Sequence, residues 1–90
     1  MNFEWDDEKN KINKQKHGIS FETATKVFDD KDRIEMYDFL HSTLEEDRNI
    51  TIGKVDEVLF VVFTERGDNT RIISARKATP SEKEAYYGNR

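Results

Sequence analysis

The 90-residue sequence contains no cysteine, one proline and two histidines. Without cysteine the chain has no disulfide, thiolate metal site or cysteine nucleophile. Two histidines are too few for a zinc site unless carboxylates complete it. No apolar stretch approaches the ~20 residues that a helix needs to cross a bilayer, and the N-terminal residues lack the pattern of a signal peptide. We therefore expect a cytoplasmic protein with no cofactor and no role at a membrane.

Charge dominates what the sequence does contain. Charged residues make up 38% of the chain and apolar residues 34%, and the formal net charge is -4. This composition favours one domain, residues 1–90, with a small core built largely from aromatic side chains. The charge is uneven, because residues 29–47 are acidic whereas residues 66–78 hold four cations against one acid. The acidic total argues against a protein that binds nucleic acid by itself, but a basic face can coexist with an acidic one.

The hydrophobic pattern predicts two N-terminal helices and a short C-terminal one. Asp6 or Asp7 can cap the first helix, and Gly18 suits the position just past its end. The segment ISFETATKVFDD, residues 19–30, has the apolar face of a second helix. Thr79, followed by a proline and a glutamate, begins the third, which Gly88 would end.

Four segments between the second and third helices alternate in polarity and predict strands, at residues 33–40, 48–55, 57–66 and 70–77. The short breaks between the last three predict antiparallel hairpins. A brief strand is also compatible with residues 3–5. We expect an α+β fold in which the two N-terminal helices pack on one face of a four-stranded antiparallel meander, with a short C-terminal helix.

The arginines of the last strands suggest a cationic site. In a regular strand Arg71 and Arg76 lie on opposite faces, so a bulge intervenes, or Arg76 acts from the strand end, or only one of them serves a site. The preceding turn brings Arg66 near Arg71, and Arg48 begins an earlier strand. Guanidinium groups bind phosphate through paired hydrogen bonds. The alternative, favoured on composition alone, is that these charges keep strand ends and edges soluble.

Several other polar side chains allow two interpretations. His17 either stabilises the end of the first helix, which is favoured, or acts as an acid or base. Tyr86 and Tyr87 either stack on nucleic-acid bases or pack the last helix onto the sheet, which is the commoner use. Glu65 is a candidate base, although an ion-pairing role is favoured.

Two regions of the sequence resemble the BrnT family of bacterial toxins. FEWDDEKNKINKQKHGISFETATKVFDD, residues 3–30, matches the F-x-W-D start of the family, its K-H-G-[IV]-[ST]-F segment and its V-F-D-D. VFTERGDNTRIISARKAT, residues 62–79, is similar to its second signature. The matches occur in the same order and spacing as in the family, and the stretch between them is compatible.

This resemblance implies a toxin of a type II toxin–antitoxin module with a fold similar to the RelE ribonucleases. The implied activity is metal-independent endoribonuclease cleavage, in which a ribose 2′-OH attacks the neighbouring phosphate, and its result is inhibition of translation. The implied partner is a BrnA-type antitoxin, in a complex with two copies of each protein. The toxin would reach operator DNA only through that antitoxin.

The cations that could stabilise the phosphate during cleavage are the candidate catalytic residues: Arg66, Arg71 and Arg76, with Arg48 in support. Lys16 or His17 is the candidate for proton transfer, and Lys77 and Tyr86 are candidates for RNA binding. The alternative function is a degenerate toxin, a non-catalytic module that binds its partner and acts as a co-repressor of its operon.

Overall fold

The computed structural model describes residues 1–88, so the last two residues of the predicted 1–90 domain lie outside the described part. The elements, in chain order, are β1 (Asn2–Glu4), α1 (Asp7–His17), α2 (Phe21–Thr25), a 3-10 turn (Lys26–Asp29), β2 (Ile34–Tyr37), β3 (Asn49–Val55), β4 (Glu57–Arg66), β5 (Asn69–Lys77) and α3 (Pro80–Gly88). Within residues 1–88, no helix is long and apolar enough to cross a membrane.

The sheet has five strands in the order β1-β5-β4-β3-β2. Strands β2 to β5 form the predicted antiparallel meander, whereas β1 pairs in parallel with β5, with Phe3 opposite Thr70. The α+β class is confirmed, but the expected four-stranded antiparallel sheet is wrong, because the sheet is five-stranded and mixed. Periodicity within a segment does not reveal its pairing partner, and here the partners lie at opposite ends of the chain.

The ends of the N-terminal helices follow from local side chains. The carboxylate of Asp6 accepts a hydrogen bond from the backbone N–H of Lys9 at 3.0 Å, and Gly18 takes a left-handed conformation with φ 72°. Ser20 caps α2 by accepting from the N–H of Thr23. This helix is shorter than predicted, because after Thr25 the chain tightens into the 3-10 turn.

Both faces of the sheet are partly covered. Helices α1 and α2 lie on one face, where Phe21 and Val27 pack against Val61 and Phe63 of β4. Helix α3 lies on the other face, where Ala78 and Tyr86 pack against Ile52 of β3 and Val58 of β4. On the face that carries α3, the sheet is therefore left uncovered at the end beyond α3, towards the β4–β5 turn.

A β-bulge in β5 decides which side chains share a face. Val62 pairs with Ser74 and Phe63 pairs with Ile72, so Ile73 is an extra residue in β5. Across the bulge, the alternation of side chains between the two faces of the sheet shifts by one residue. Arg71 and Arg76 consequently lie on the same face, opposite to α1 and α2, and the bulge is one of the three alternatives that the sequence left open.

Beyond the residues that pair with β1, backbone groups at the edge of β5 form hydrogen bonds with a side chain of α1. Asn13 of α1 is buried, and its amide donates to the carbonyl oxygen of Ala75 at 2.8 Å and accepts from the N–H of Ala75 at 3.2 Å. The same amide nitrogen donates to the carbonyl oxygen of Ile19 at 2.8 Å. Asn13 thus replaces one residue of a neighbouring strand and fixes α1 to β5.

Candidate active site

A groove of about 680 Å³ lies at the open end of the sheet, where β3, β4 and β5 meet the loop before β3. Its volume is within the range of pockets that hold small ligands. Cations and carboxylates line it in equal number: Lys9, Arg48, Arg66 and Arg71, and Glu45, Glu46, Asp47 and Glu65. The predicted cluster of Arg48, Arg66 and Arg71 is therefore present, but with acidic side chains around it.

Glu4 of β1 organises two of these arginines. Its Oε2 lies 2.7 Å from Nη1 of Arg71 and 3.8 Å from Nη1 of Arg66, and its Oε1 accepts from Nδ2 of Asn69 at 3.0 Å. The hydrogen bond from Asn69, and then that from Arg71, lowers the pKa of Glu4 below its ordinary value. Arg71 is the more covered of the two guanidinium groups, with 24% of its side chain exposed against 58% for Arg66, so it is the more firmly held.

Arg48 reaches the groove from the other side, from the position just before β3. Its backbone N–H donates to Oγ of Ser42 at 2.9 Å, and its carbonyl oxygen accepts from the N–H of Asp38 at 2.9 Å. Its Nη2 lies 3.9 Å from Oε2 of Glu46. The buried Nε of Arg48 has no hydrogen-bond partner among residues 1–88, although buried polar atoms normally have one.

The acidic wall of the groove is fixed by two hydrogen bonds to Asp47. The hydroxyl of Thr64, a buried residue of β4, donates to the carbonyl oxygen of Asp47 at 2.7 Å. The hydroxyl of Tyr37 donates to its carboxylate at 2.9 Å. The loop therefore lies across the end of β4, and Glu46 and Arg48 keep a defined position beside the groove.

Arg76, in contrast, lies away from the groove. Its cross-strand partner is Phe60, four residues before the partner of Arg71, which is about 13 Å along the strand. Its guanidinium group makes two hydrogen bonds to Glu82 of α3, at 2.8 and 2.9 Å, and stacks on the ring of Phe60 at 3.9 Å. We conclude that Arg76 fastens α3 to the sheet, although it shares a face with Arg71.

The other predicted site residues are also remote from the groove. Lys16 and His17 end α1, about 12 Å along the helix from Lys9. Lys77 ends β5, where its Nζ lies 3.5 Å from Oε2 of Glu57. Tyr86 is buried with 2% of its surface exposed, and its hydroxyl donates to Asp30 at 2.6 Å. Burial corrects the predicted stacking role of Tyr86, because a covered ring presents no face to a base.

Sequence reasoning missed Lys9, Tyr37 and the carboxylates of the loop as groove residues. The pairing of β1 with β5 places the start of α1 beside the groove, and that pairing was not predicted. The sequence shows three consecutive acidic residues at 45–47, but it predicts only a solvated loop there. Within the described part of the chain, no group of three or more His, Cys, Asp or Glu side chains is arranged to hold a metal ion.

Glu82→Gln is expected to destabilise the protein more at pH 7 than at pH 3. The hydrogen bonds from Arg76 lower the pKa of Glu82 below its ordinary value. A lowered pKa stabilises the fold above the unfolded-state pKa, about 4.3, and that contribution is lost as the pH falls through the folded-state value. At pH 7 we expect a loss on the order of 1 kcal/mol, after allowance for solvent screening.

Urea unfolding of the parent protein and of Glu82→Gln, at pH 7 and at pH 3, measures the difference in their free energies of unfolding. Glu84→Gln, in an exposed position of the same helix, is the control and should match the parent protein at both pH values. An equal loss for Glu82→Gln at the two pH values would show that the ion pair with Arg76 is not its source.

The fold and the groove define a class: a small α+β protein with a groove, lined by four cations and four carboxylates, on the open part of its sheet. Residues 5–82 match the model of the family described as the ribonuclease toxin, BrnT, of type II toxin–antitoxin systems. The chain belongs to this BrnT family. A type II toxin is expected to have an antitoxin partner.

A solved structure supports the fold. The chain is similar to the 1.1 Å crystal structure of the Brucella abortus ribonuclease toxin BrnT, with a TM-score of 0.65 and 24% sequence identity over 88% of this chain and 97% of that one. A search of curated protein sequences found no significant match. The predicted BrnT membership is confirmed, whereas the RelE-like fold is not, since the BrnT fold differs from that of RelE.

Proposed function

We propose that the chain is an endoribonuclease that cleaves RNA in this groove and thereby inhibits translation in the cytoplasm. The observation that carries the proposal is the convergence of Arg48, Arg66 and Arg71, from three different parts of the chain, on one groove in a member of a ribonuclease toxin family. Guanidinium groups held in place before the substrate arrives stabilise charge that develops on a phosphate, because they need little reorganisation during the reaction.

The proposed reaction is transesterification without a metal ion. The ribose 2′-oxygen attacks phosphorus while its proton passes to a base, the bond to the 5′-oxygen breaks, and that oxygen takes a proton. The products are a 2′,3′-cyclic phosphate and a 5′-OH. Glu46 and Glu65 are the groove carboxylates that we propose as bases, and Lys9 is the proposed proton donor; Lys16 and His17, the earlier candidates, end α1 away from the groove.

The experiment that tests this function is incubation of the purified chain, free of antitoxin, with a labelled RNA oligonucleotide. We expect a ladder of products with 2′,3′-cyclic phosphate ends, equal rates with and without EDTA, and no cleavage of DNA or of fully 2′-O-methylated RNA of the same sequence. Cleavage of the methylated RNA would contradict the transesterification, and RNA that stays intact in the presence of folded protein would contradict the nuclease function.

The alternative function is a non-catalytic toxin relative that binds its partner and acts as co-repressor. The observation in its favour is that four carboxylates balance the four cations of the groove and that Glu4 already pairs with Arg66 and Arg71. Growth separates the two functions. Expression of the chain alone, as soluble protein, should arrest bacterial growth if it is a nuclease and leave it normal if it is only a co-repressor.

For the partner we propose a BrnA-type antitoxin, in a complex of two toxins and two antitoxins that contacts operator DNA through the antitoxin. The family membership supports this proposal. Light scattering of the co-expressed complex measures the stoichiometry. A mass equal to one copy of each protein would contradict it.

A further inference from the structure

The loop between β2 and β3, residues 38–48, exposes large apolar side chains. Phe39 is 83% exposed, Leu40 is 90% exposed and Leu44 is fully exposed. The ring of Phe39 contacts that of Tyr37, edge to face, at 4.6 Å. Strand periodicity predicts Leu40 as part of a strand, yet the strand ends at Tyr37 and both following apolar residues point into solvent. Small proteins seldom expose apolar side chains together unless the surface has a use.

Polar side chains hold this loop from the inside. Asp38 is buried, and its carboxylate contacts the backbone N–H of His41 at 3.3 Å and its ring Nδ1 at 2.9 Å. Ser42 Oγ donates to the carbonyl oxygen of Asp38 at 2.7 Å and accepts from the N–H of Arg48 at 2.9 Å. Asp38 is therefore buried and Ser42 half-buried, and their hydrogen bonds hold the loop in a shape that leaves Phe39, Leu40 and Leu44 in solvent.

Charge indicates what kind of partner covers the loop. Residues 35–47 contain five carboxylates, Glu35, Asp38, Glu45, Glu46 and Asp47, and no Lys or Arg. Asp38 is buried, but Glu35, Glu45 and Asp47 are exposed and Glu46 is half-buried, so the surface of the loop attracts cations. An occupant that matches both the apolar and the acidic side chains is a protein segment with apolar residues flanked by Lys or Arg.

We infer that the 38–48 loop is the docking site of a basic, partly apolar segment of the antitoxin. This inference rests on the proposed function only in that the chain is a toxin with an antitoxin. The second half of the same loop, from Glu45 to Arg48, lines the groove. A segment seated on Phe39, Leu40 and Leu44 therefore lies next to the groove and covers it, so docking and inhibition are one event.

The test compares the wild-type chain with the triple variant Phe39→Ser, Leu40→Ser, Leu44→Ser. The probe is purified antitoxin from the same operon, and its dissociation constant is measured by calorimetry at low and high NaCl. We expect at least a 100-fold weaker complex for the variant, because exposed apolar anchors in the centre of an interface carry most of the binding energy. Wild-type binding should weaken as salt rises.

Ile12→Ser is the matched control, since Ile12 is a half-exposed apolar residue on α1, and it should bind antitoxin as the wild type does. The side chains of Phe39, Leu40 and Leu44 do not line the groove. The triple variant should therefore cleave RNA at the wild-type rate, and added antitoxin should no longer inhibit it.

The calorimetric measurement does not depend on RNA cleavage, so its result stands if the nuclease proposal fails. Leu44→Ser alone, at a fully exposed position, replaces the triple variant if the latter misfolds, with at least a tenfold loss expected.

Three results would overturn the inference. The first is wild-type affinity of the triple variant for the antitoxin. The second is a loss of RNA binding with antitoxin binding intact, which would assign the loop to RNA. The third is a wild-type dimer in sedimentation that the triple variant converts to a monomer while antitoxin binding stays intact, which would assign the loop to a second copy of the chain.

Discussion

Arg71→Ala is expected to lower the rate of RNA cleavage by about 10²–10³-fold, which corresponds to roughly 2.7–4 kcal/mol of transition-state stabilisation. Arg71 has the least exposed side chain of the three groove arginines. Its Nη1 also forms a short ion pair, 2.7 Å from Oε2 of Glu4. Its charge is therefore in place before the phosphate gains negative charge, and alanine removes both the charge and the paired hydrogen bonds. Single-turnover cleavage of a labelled RNA oligonucleotide measures the loss.

Arg76→Ala is the control, because it removes the same side chain from the same strand and the same sheet face. We expect it to reduce thermal stability, through loss of the contact with Glu82 and Phe60, and to leave the rate of cleavage by folded protein within a few-fold of the parent. Arg71→Lys should recover only part of the activity, because an ammonium group does not make the paired contacts of a guanidinium. Equal loss of activity in Arg71→Ala and Arg76→Ala would contradict the site.

The contrast between these two arginines also shows how far the sequence could lead. The strand TRIISARK contains both, and a regular period of two places them on opposite faces. The bulge at Ile73 places Ile72 and Ala75 together in the core and both arginines outside. That separation of apolar from charged side chains was a usable signal. The sequence carries no comparable signal for which end of the arginine-bearing face is left uncovered, because that depends on where α3 packs.

Long-range pairing limited the rest of the prediction. The helix caps at Asp6 and Thr79 are local, and both are confirmed. The pairing of Glu4 with Arg71 joins residues from the two ends of the chain, and no local rule specifies it. The arginine cluster was therefore predictable as a set of cations, whereas the carboxylate that holds it and the contribution of Lys9 were not.

The buried tyrosine and the exposed leucine are matching errors of another kind. Tyr86 is a candidate for RNA binding but lies in the core, whereas the periodicity predicts Leu40 in a strand and its side chain lies in solvent. The packing of Tyr86 agrees with the commoner use of such a residue, whereas the prediction for Leu40 relied on strand periodicity alone. The ring of Tyr86 packs in an apolar cluster and its hydroxyl donates to Asp30, and the carboxylate of Asp38 contacts the ring of His41 within the loop that carries Leu40.

Asn13→Ala is expected to cost about 2–4 kcal/mol of stability, because each buried backbone group left without a partner costs about 1–3 kcal/mol and such losses do not add fully. The groups concerned are the carbonyl oxygens of Ile19 and Ala75 and the N–H of Ala75. Since 1 kcal/mol corresponds to roughly 4–8 °C in a domain of this size, the melting temperature should fall by at least ~8 °C.

Asn10→Ala is the matched control for this substitution. Asn10 lies one turn earlier in α1 and also bonds twice, by accepting from the N–H of Phe21 and donating to Glu22, each at 2.8 Å. It is half-buried rather than buried, so water can replace both partners, and we expect a loss of about 1 kcal/mol. Equal shifts of melting temperature for the two variants, measured by circular dichroism, would show that burial at Asn13 does not set its contribution. A larger shift at Asn13 would establish that one side-chain amide completes the edge of β5, next to the bulge on which the placement of Arg71 depends.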